Sequence, residues 1–127
     1  MKTMNKAAAK VLDELTAGLG VGEARKIDNA RGTFMAVSVE RLTETTFSVS
    51  HYYEQNGDLV PDPDMEFWRG PDGAWYPVAI QHSSGHYLRA IEFSETDKPS
   101  GFRPRALTDL ASFAATWMKN IRAQQSL

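Results

Sequence analysis

HYYEQNGDLVPDPDMEF, residues 51–67, joins two segments of strand character through a turn and an acidic connection containing two prolines. On its N-terminal side Phe47, Val49, His51 and Tyr53 alternate with Ser48, Ser50 and Tyr52. That is the period of a strand with two distinct faces, and it predicts a strand over residues 46–53. Asn56-Gly57-Asp58 reads as a turn, because Gly takes positive φ cheaply and Asn or Asp bonds to nearby backbone. Pro61 and Pro63 are expected to hold their neighbours extended and out of a regular ladder. Met65, Phe67 and Trp68 begin a third strand. The segment is thus a strand–turn–strand unit, and the rest of the chain is built around it.

Upstream, Met35, Val37 and Val39 alternate with Ala36, Ser38 and Glu40. This predicts a strand over residues 33–41 in an antiparallel hairpin with 46–53. Downstream, Gly70-Pro71-Asp72-Gly73 predicts a tight turn. Residues 75–80 form a fourth strand, where Pro77 indicates an edge or a bulge. Ser83-Ser84-Gly85 turns the chain into a fifth strand, residues 86–93. Residues 94–104 read as a polar connection, extended near Pro99 to Arg105.

Helices flank this region. Ala7, Ala8 and Ala9, with Val11, Leu12 and Leu15 at helical spacing, predict a helix from Asn5 to about Leu15. Gly18, Gly20 and Gly22 stop it. Residues 24–30 are weakly patterned and suggest only a turn. A second helix is expected over residues 108–124, with Thr108 as its N-cap and Asp109 in its first turn. Its stripe of Leu110, Phe113, Ala114, Trp117, Met118 and Ile121 suits packing across a sheet. The expected fold is one α+β domain over residues 1–127: an antiparallel meander of about five strands packed against N-terminal and C-terminal helices. The first helix and its Gly-rich connection take residues 1–22, the sheet 33–93 and the last helix 106–125. The terminal helices should cover one sheet face.

With 127 residues, 42% hydrophobic and 24% charged, the chain has the composition of a folded domain. It has no Cys, which removes thiolate nucleophiles and Cys-based metal centres. No stretch approaches the length of a membrane span. Lys10, Asp13 and Glu14 interrupt the apolar run that a secretion signal would need, so a cytoplasmic location is expected. The net charge of -2 argues against a dedicated nucleic-acid binder, although a nucleic-acid accessory role through the basic C-terminal region stays open. The charge is unevenly spread. Glu54, Asp58, Asp62, Asp64, Glu66 and Asp72 face Arg69 alone, whereas Lys98, Arg103, Arg105, Lys119 and Arg122 dominate the later chain.

Chemical signatures are sparse. Asp62, Asp64 and Glu66 stand two apart and would share a strand face, spaced about 7 Å, too far for one ion without a bend. His82 and His86 frame a turn, and His51 could join them only if the fold brought them together. His51, Asp64, Glu66, His82 and His86 are therefore weak metal candidates, and no cofactor is expected. There is no nucleophile elbow and no phosphate-binding loop. Aromatic residues beside carboxylates suit a protein-contact surface better than a base-stacking one. The expected contact surface comprises Tyr53, Glu54, Asn56, Asp58, Asp62, Asp64 and Trp68. Its partner is another protein, with a homodimer as one form of it.

Tyr53-Glu54-Gln55-Asn56-Gly57-Asp58-Leu59, followed by Asp62-Pro63-Asp64-Met65-Glu66-Phe67, resembles the central motif of an uncharacterised small domain family of bacterial plasmids and other mobile genetic elements. Trp75-Tyr76-Pro77-Val78 and Tyr87 also fit its pattern, so the resemblance covers roughly residues 30–93. It implies a genetic context and no catalytic residue. The function expected is a non-enzymatic accessory or regulatory protein of a mobile element. The alternatives are a metal-dependent nuclease or hydrolase using the acidic stretch, and a nucleic-acid-binding module.

Overall fold

Asn5 starts the first helix, α1 (Lys6–Thr16), by accepting a hydrogen bond on its side-chain oxygen from the Ala8 amide at 2.8 Å. That satisfies one of the donors a helix start leaves free. Ala8, Val11, Leu12 and Leu15 form the buried stripe, as their spacing predicts. The computed structural model describes residues 1–127. After α1 come β1 (Ala24–Ile27), β2 (Val37–Arg41), β3 (Thr46–Gln55), β4 (Asp58–Arg69), β5 (Trp75–Gln81) and β6 (Tyr87–Arg89). These six strands form one antiparallel meander in chain order. A separate two-stranded ribbon, β7 (Ile91–Phe93) and β8 (Pro99–Phe102), precedes the last helix, α2 (Pro104–Gln124).

The chain is α+β, with an antiparallel sheet between terminal helices. Several details differ from the sequence reading. The sheet has six strands because β1, whose residues carry no clear alternation, pairs with β2 from Ala24↔Glu40 to Ile27↔Val37. The expected fifth strand is divided at Ala90, which is buried and donates its amide to Val78 while accepting from Arg103. Helix α2 begins four residues early. Pro104 suits a first helical turn, and the Thr108 hydroxyl bonds back to the Pro104 carbonyl instead of capping.

Pros 61 and 63 also behave differently. Strand β4 runs through both of them. β5 pairs with β4 only from Asp64 onward, so on that side the missing proline N–H groups face no ladder. Between the pairs Ser50↔Asp64 and Tyr52↔Pro61, β4 spends two residues, Asp62 and Pro63, opposite the single residue His51. This is a β-bulge, and it reverses the facing of every β4 residue before it. The hairpin tip is the Asn56-Gly57 pair, with φ of 53° and 85°, the positive values of a type I′ turn.

Register assigns the two faces. Val39, Val49, Met65, Ile80 and Leu88 lie in one row, and Phe47, Phe67 and Pro77 in the next. This face meets both helices: Trp75 donates its indole N–H to Asp13 of α1 at 2.9 Å, and Trp117 of α2 packs edge-on against His51. The opposite face carries Ser38, Glu40, Ser48, Ser50, Asp64, Glu66, Gln81 and Arg89, and no helix covers it.

Just past α2, Gln125 is wholly buried. Its side-chain oxygen accepts from the amides of Asn29, at 2.7 Å, and Ala30, and its side-chain nitrogen donates to the Met35 carbonyl at 3.1 Å. The Asn29 side chain returns a bond to the Gln125 carbonyl. One amide thus fixes the loop between β1 and β2 to the end of α2. Gln125→Ala should cost about 1–3 kcal/mol, because it removes three hydrogen bonds made by a wholly buried side chain to part-buried loop groups. Urea denaturation would measure the loss. Hydrogen exchange should quicken first at Asn29 and Ala30.

Candidate functional site

The helix-free face is the place where the structure gathers chemistry. Tyr52 reaches it from β3 and donates its hydroxyl to Asp64 Oδ2 at 3.2 Å. Glu66 follows Asp64 on the same face of β4 and meets Arg89 of β6 at 3.5 Å. Arg89 also takes Glu92 at 3.3 Å and donates to the Tyr87 hydroxyl. Glu40 of β2 completes the set. Glu40, Leu42, Tyr52, Asp64, Glu66 and Tyr87 are among the residues lining a shallow groove of about 280 Å³.

Tyr52 also lines a second hollow of about 660 Å³, with Phe34, Met35, Leu59, Lys26 and Asp28 among its other walls. Leu59 is 72% exposed and Tyr52 37%, with Phe34 and Met35 between them in exposure. Leu59 reaches this face through the bulge: it pairs with Glu54, whose even-numbered position aligns it with Tyr52. The far end of the open face is closed. There Trp68 lies against Tyr76 and under Phe93 of β7.

Burial sets the electrostatics. It raises the Asp64 carboxyl above its ordinary value, against the hydrogen bond from Tyr52 and with help from Glu40. Burial likewise raises Glu66, with Arg89 opposing and Asp64 reinforcing. Tyr52 is raised by burial and by Asp64. These groups are held on the sheet at an electrostatic cost, a pattern concentrated at functional sites.

The residues expected from sequence to form one surface are dispersed. Asp64 alone belongs to the groove. Tyr53 is half-buried and paired with Val60 on the other face; Glu54, Asn56 and Asp58 occupy the exposed hairpin tip. Trp68 is 8% exposed, so it is a packing residue and not a surface anchor. Asp62 does not share a face with Asp64 and Glu66. The bulge turns it toward the His51 side, where its charge acts on that imidazole.

The metal candidates do not converge either. His82 and His86 frame their turn with ring centroids 5.9 Å apart. His51 is separated from them by Trp117 and Phe113, which continue the line of ring contacts to His82. No three His, Asp or Glu side chains are grouped so as to hold a metal ion. His51 Nε2 is buried without a hydrogen-bond partner, and burial lowers its pKa despite Asp62. Sequence reasoning missed Glu40, Tyr52 and Tyr87 as site residues. The signal was present in the alternation that places Ser48, Ser50 and Tyr52 opposite the core, but it needed the β2–β3–β4 register to reveal which carboxylates they meet.

Fold and site together define an α+β domain whose meander is covered by helices on one face and presents an acidic, partly apolar groove on the other. The chain belongs to the family described as domain of unknown function DUF6908, which it matches over residues 2–127. No curated protein matches the chain, and no solved structure does. No helix is long and apolar enough to cross a membrane.

Two opposite pH trends follow. His51 is a weaker base folded than unfolded, so its contribution is complete above about pH 6.5, the ordinary histidine value, and is lost as pH falls below it. Asp64 holds its proton more tightly when folded, so its contribution is present below the ordinary carboxylate range and is lost as pH rises through its raised value. Asp64→Asn, which can still accept from Tyr52, should therefore raise the denaturation midpoint at pH 7. The gain should vanish near pH 3. Replacing His51 with Gln should flatten the decline below pH 6.5. Urea titrations across that range read both effects.

Proposed function

We propose that this protein is a non-enzymatic accessory or regulatory protein of a bacterial mobile element, and that it acts by docking a partner protein on the helix-free face of its sheet. The observation that carries the reading is the cluster of exposed Tyr52 and Leu59, on a sheet face that no helix of this chain covers, with Phe34 and Met35 of the adjoining β1–β2 loop. An exposed apolar patch bordered by polar groups is the usual form of a protein-contact site. Fully covering one such side chain contributes about 1.5–3 kcal/mol. The four are already partly covered and have about two side chains' worth of surface left to bury, about 3–6 kcal/mol, which offsets only the lower part of an association cost of about 4–15 kcal/mol.

The mobile-element context rests on the resemblance of residues 53–67 to the family's central motif. A cytoplasmic site of action fits that context. The dispersal of His51, His82 and His86 away from Asp64 and Glu66 weighs against a metal-dependent hydrolase. The carboxylates of the groove disfavour a phosphate backbone on the same face.

Affinity capture from native lysate tests the reading. Tyr52→Arg and Leu59→Asp should each reduce recovery of the specific partner at least about fivefold, since a charge is placed in an apolar contact. Glu54→Lys and Asp58→Lys at the hairpin tip should leave recovery unchanged. Undiminished capture by both Tyr52 and Leu59 variants would remove this face from consideration.

A further inference from the structure

We infer that the occupant of the open face is a cationic amphipathic helix supplied by a partner protein, one that presents Lys or Arg beside an apolar stripe. The inference rests on the docking face proposed above and specifies its ligand. A sheet with helices on one face lacks the second layer that closes many α/β sandwiches, and an amphipathic helix is the element that fits such a face. From Leu59 to Glu66 the line of groove residues follows β4 for about 20 Å, the length of a helix of about 13 residues.

Charge selects the kind of helix. Leu59, Phe34 and Met35 offer apolar contact at one end, and Glu40, Asp64 and Glu66 follow along the face from Tyr52. Of the cations here, Arg89 is already engaged by Glu66, Glu92 and Tyr87, and Lys26 stands on the edge strand β1. An incoming Lys or Arg meets Glu40 and Asp64, neither of which has a cationic partner within the chain. A second copy of this chain, docked face to face, would set these carboxylates against their own equivalents, which disfavours a homodimer through this surface.

Two synthetic helical peptides of about 18 residues test the inference. Both carry Leu on one stripe; Lys flanks the stripe in one and Glu in the other. Fluorescence polarisation with the full chain should show the Lys peptide binding at least about tenfold more tightly at low salt, an advantage that shrinks as salt is added. Amide shifts in NMR should change at Glu40, Tyr52, Asp64 and Glu66. The double variant Glu40→Gln, Asp64→Asn should bind both peptides alike, and Leu59→Ser should weaken both. If Leu59→Ser weakens binding but the peptides bind equally, the cationic occupant is wrong and the docking face survives. If Leu59→Ser has no effect, or the shifts map to the exposed side of α2, the docking face fails as well. Absence of binding by either peptide at about millimolar concentration, or self-association in sedimentation that neither displaces, likewise overturns the inference.

Discussion

One surplus residue in β4 governs what this protein shows to its surroundings. Asp62 and Pro63 share the place opposite His51, so the outer half of the β3–β4 hairpin is out of phase with the inner half. Without that bulge, Leu59 would point to the helix side and Asp62 would join Asp64 and Glu66. With it, Leu59 stands beside Tyr52 on the open face, and Asp62 turns toward a buried imidazole. A bulge next to a functional surface commonly re-aims side chains in this way. The bulge therefore brings Leu59 into the apolar half of the groove and keeps Asp62 out of the acidic half.

The helices make that phase matter. Both pack on the same side of the meander, so parity along each strand decides between core and surface. Val39, Val49, Met65 and Ile80 fill one continuous row under the helices. Their neighbours Glu40, Ser48, Ser50, Asp64 and Glu66 are left to the other side. Had a helix covered each face, carboxylates at these positions would carry a far larger desolvation penalty. The ribbon β7–β8 covers only the Trp68 end, which sets where the open groove stops.

Much of this was legible in the amino-acid sequence, because strong local signals decide their own neighbourhoods. The α1 stripe, the alternation of β3, the Asn-Gly turn and the two downstream turns all emerged from residue pattern; β2 did so only from Val37, because residues 33–36, expected in the strand, belong to the loop that Gln125 holds at Met35. Strand β1 did not, since Ala24-Arg25-Lys26-Ile27 has little pattern of its own and is held by pairing with β2. The start of α2 was displaced because a Thr hydroxyl can satisfy a carbonyl one turn back as readily as cap a helix. The site was less legible than the fold. Asp64 was identified, but a face cannot be assembled from one strand at a time, and a bulge defeats simple counting of alternate residues. Gln125 carries no pattern at all; its importance comes from loop amides 95 and 96 residues away in sequence.

That amide has a thermodynamic corollary. Phe34 and Met35 form a wall of the groove, and Gln125 holds the Met35 carbonyl from the opposite layer of the molecule. The end of α2 and the loop that carries Phe34 and Met35 thus share one set of hydrogen bonds. Linkage makes such a connection reciprocal. A ligand that favoured the bonded position of that loop would favour the bonded end of the helix by the same free energy. The two termini of a long pathway through the sheet are not required. A single side chain crossing from layer to layer gives the open face a handle on the covered one.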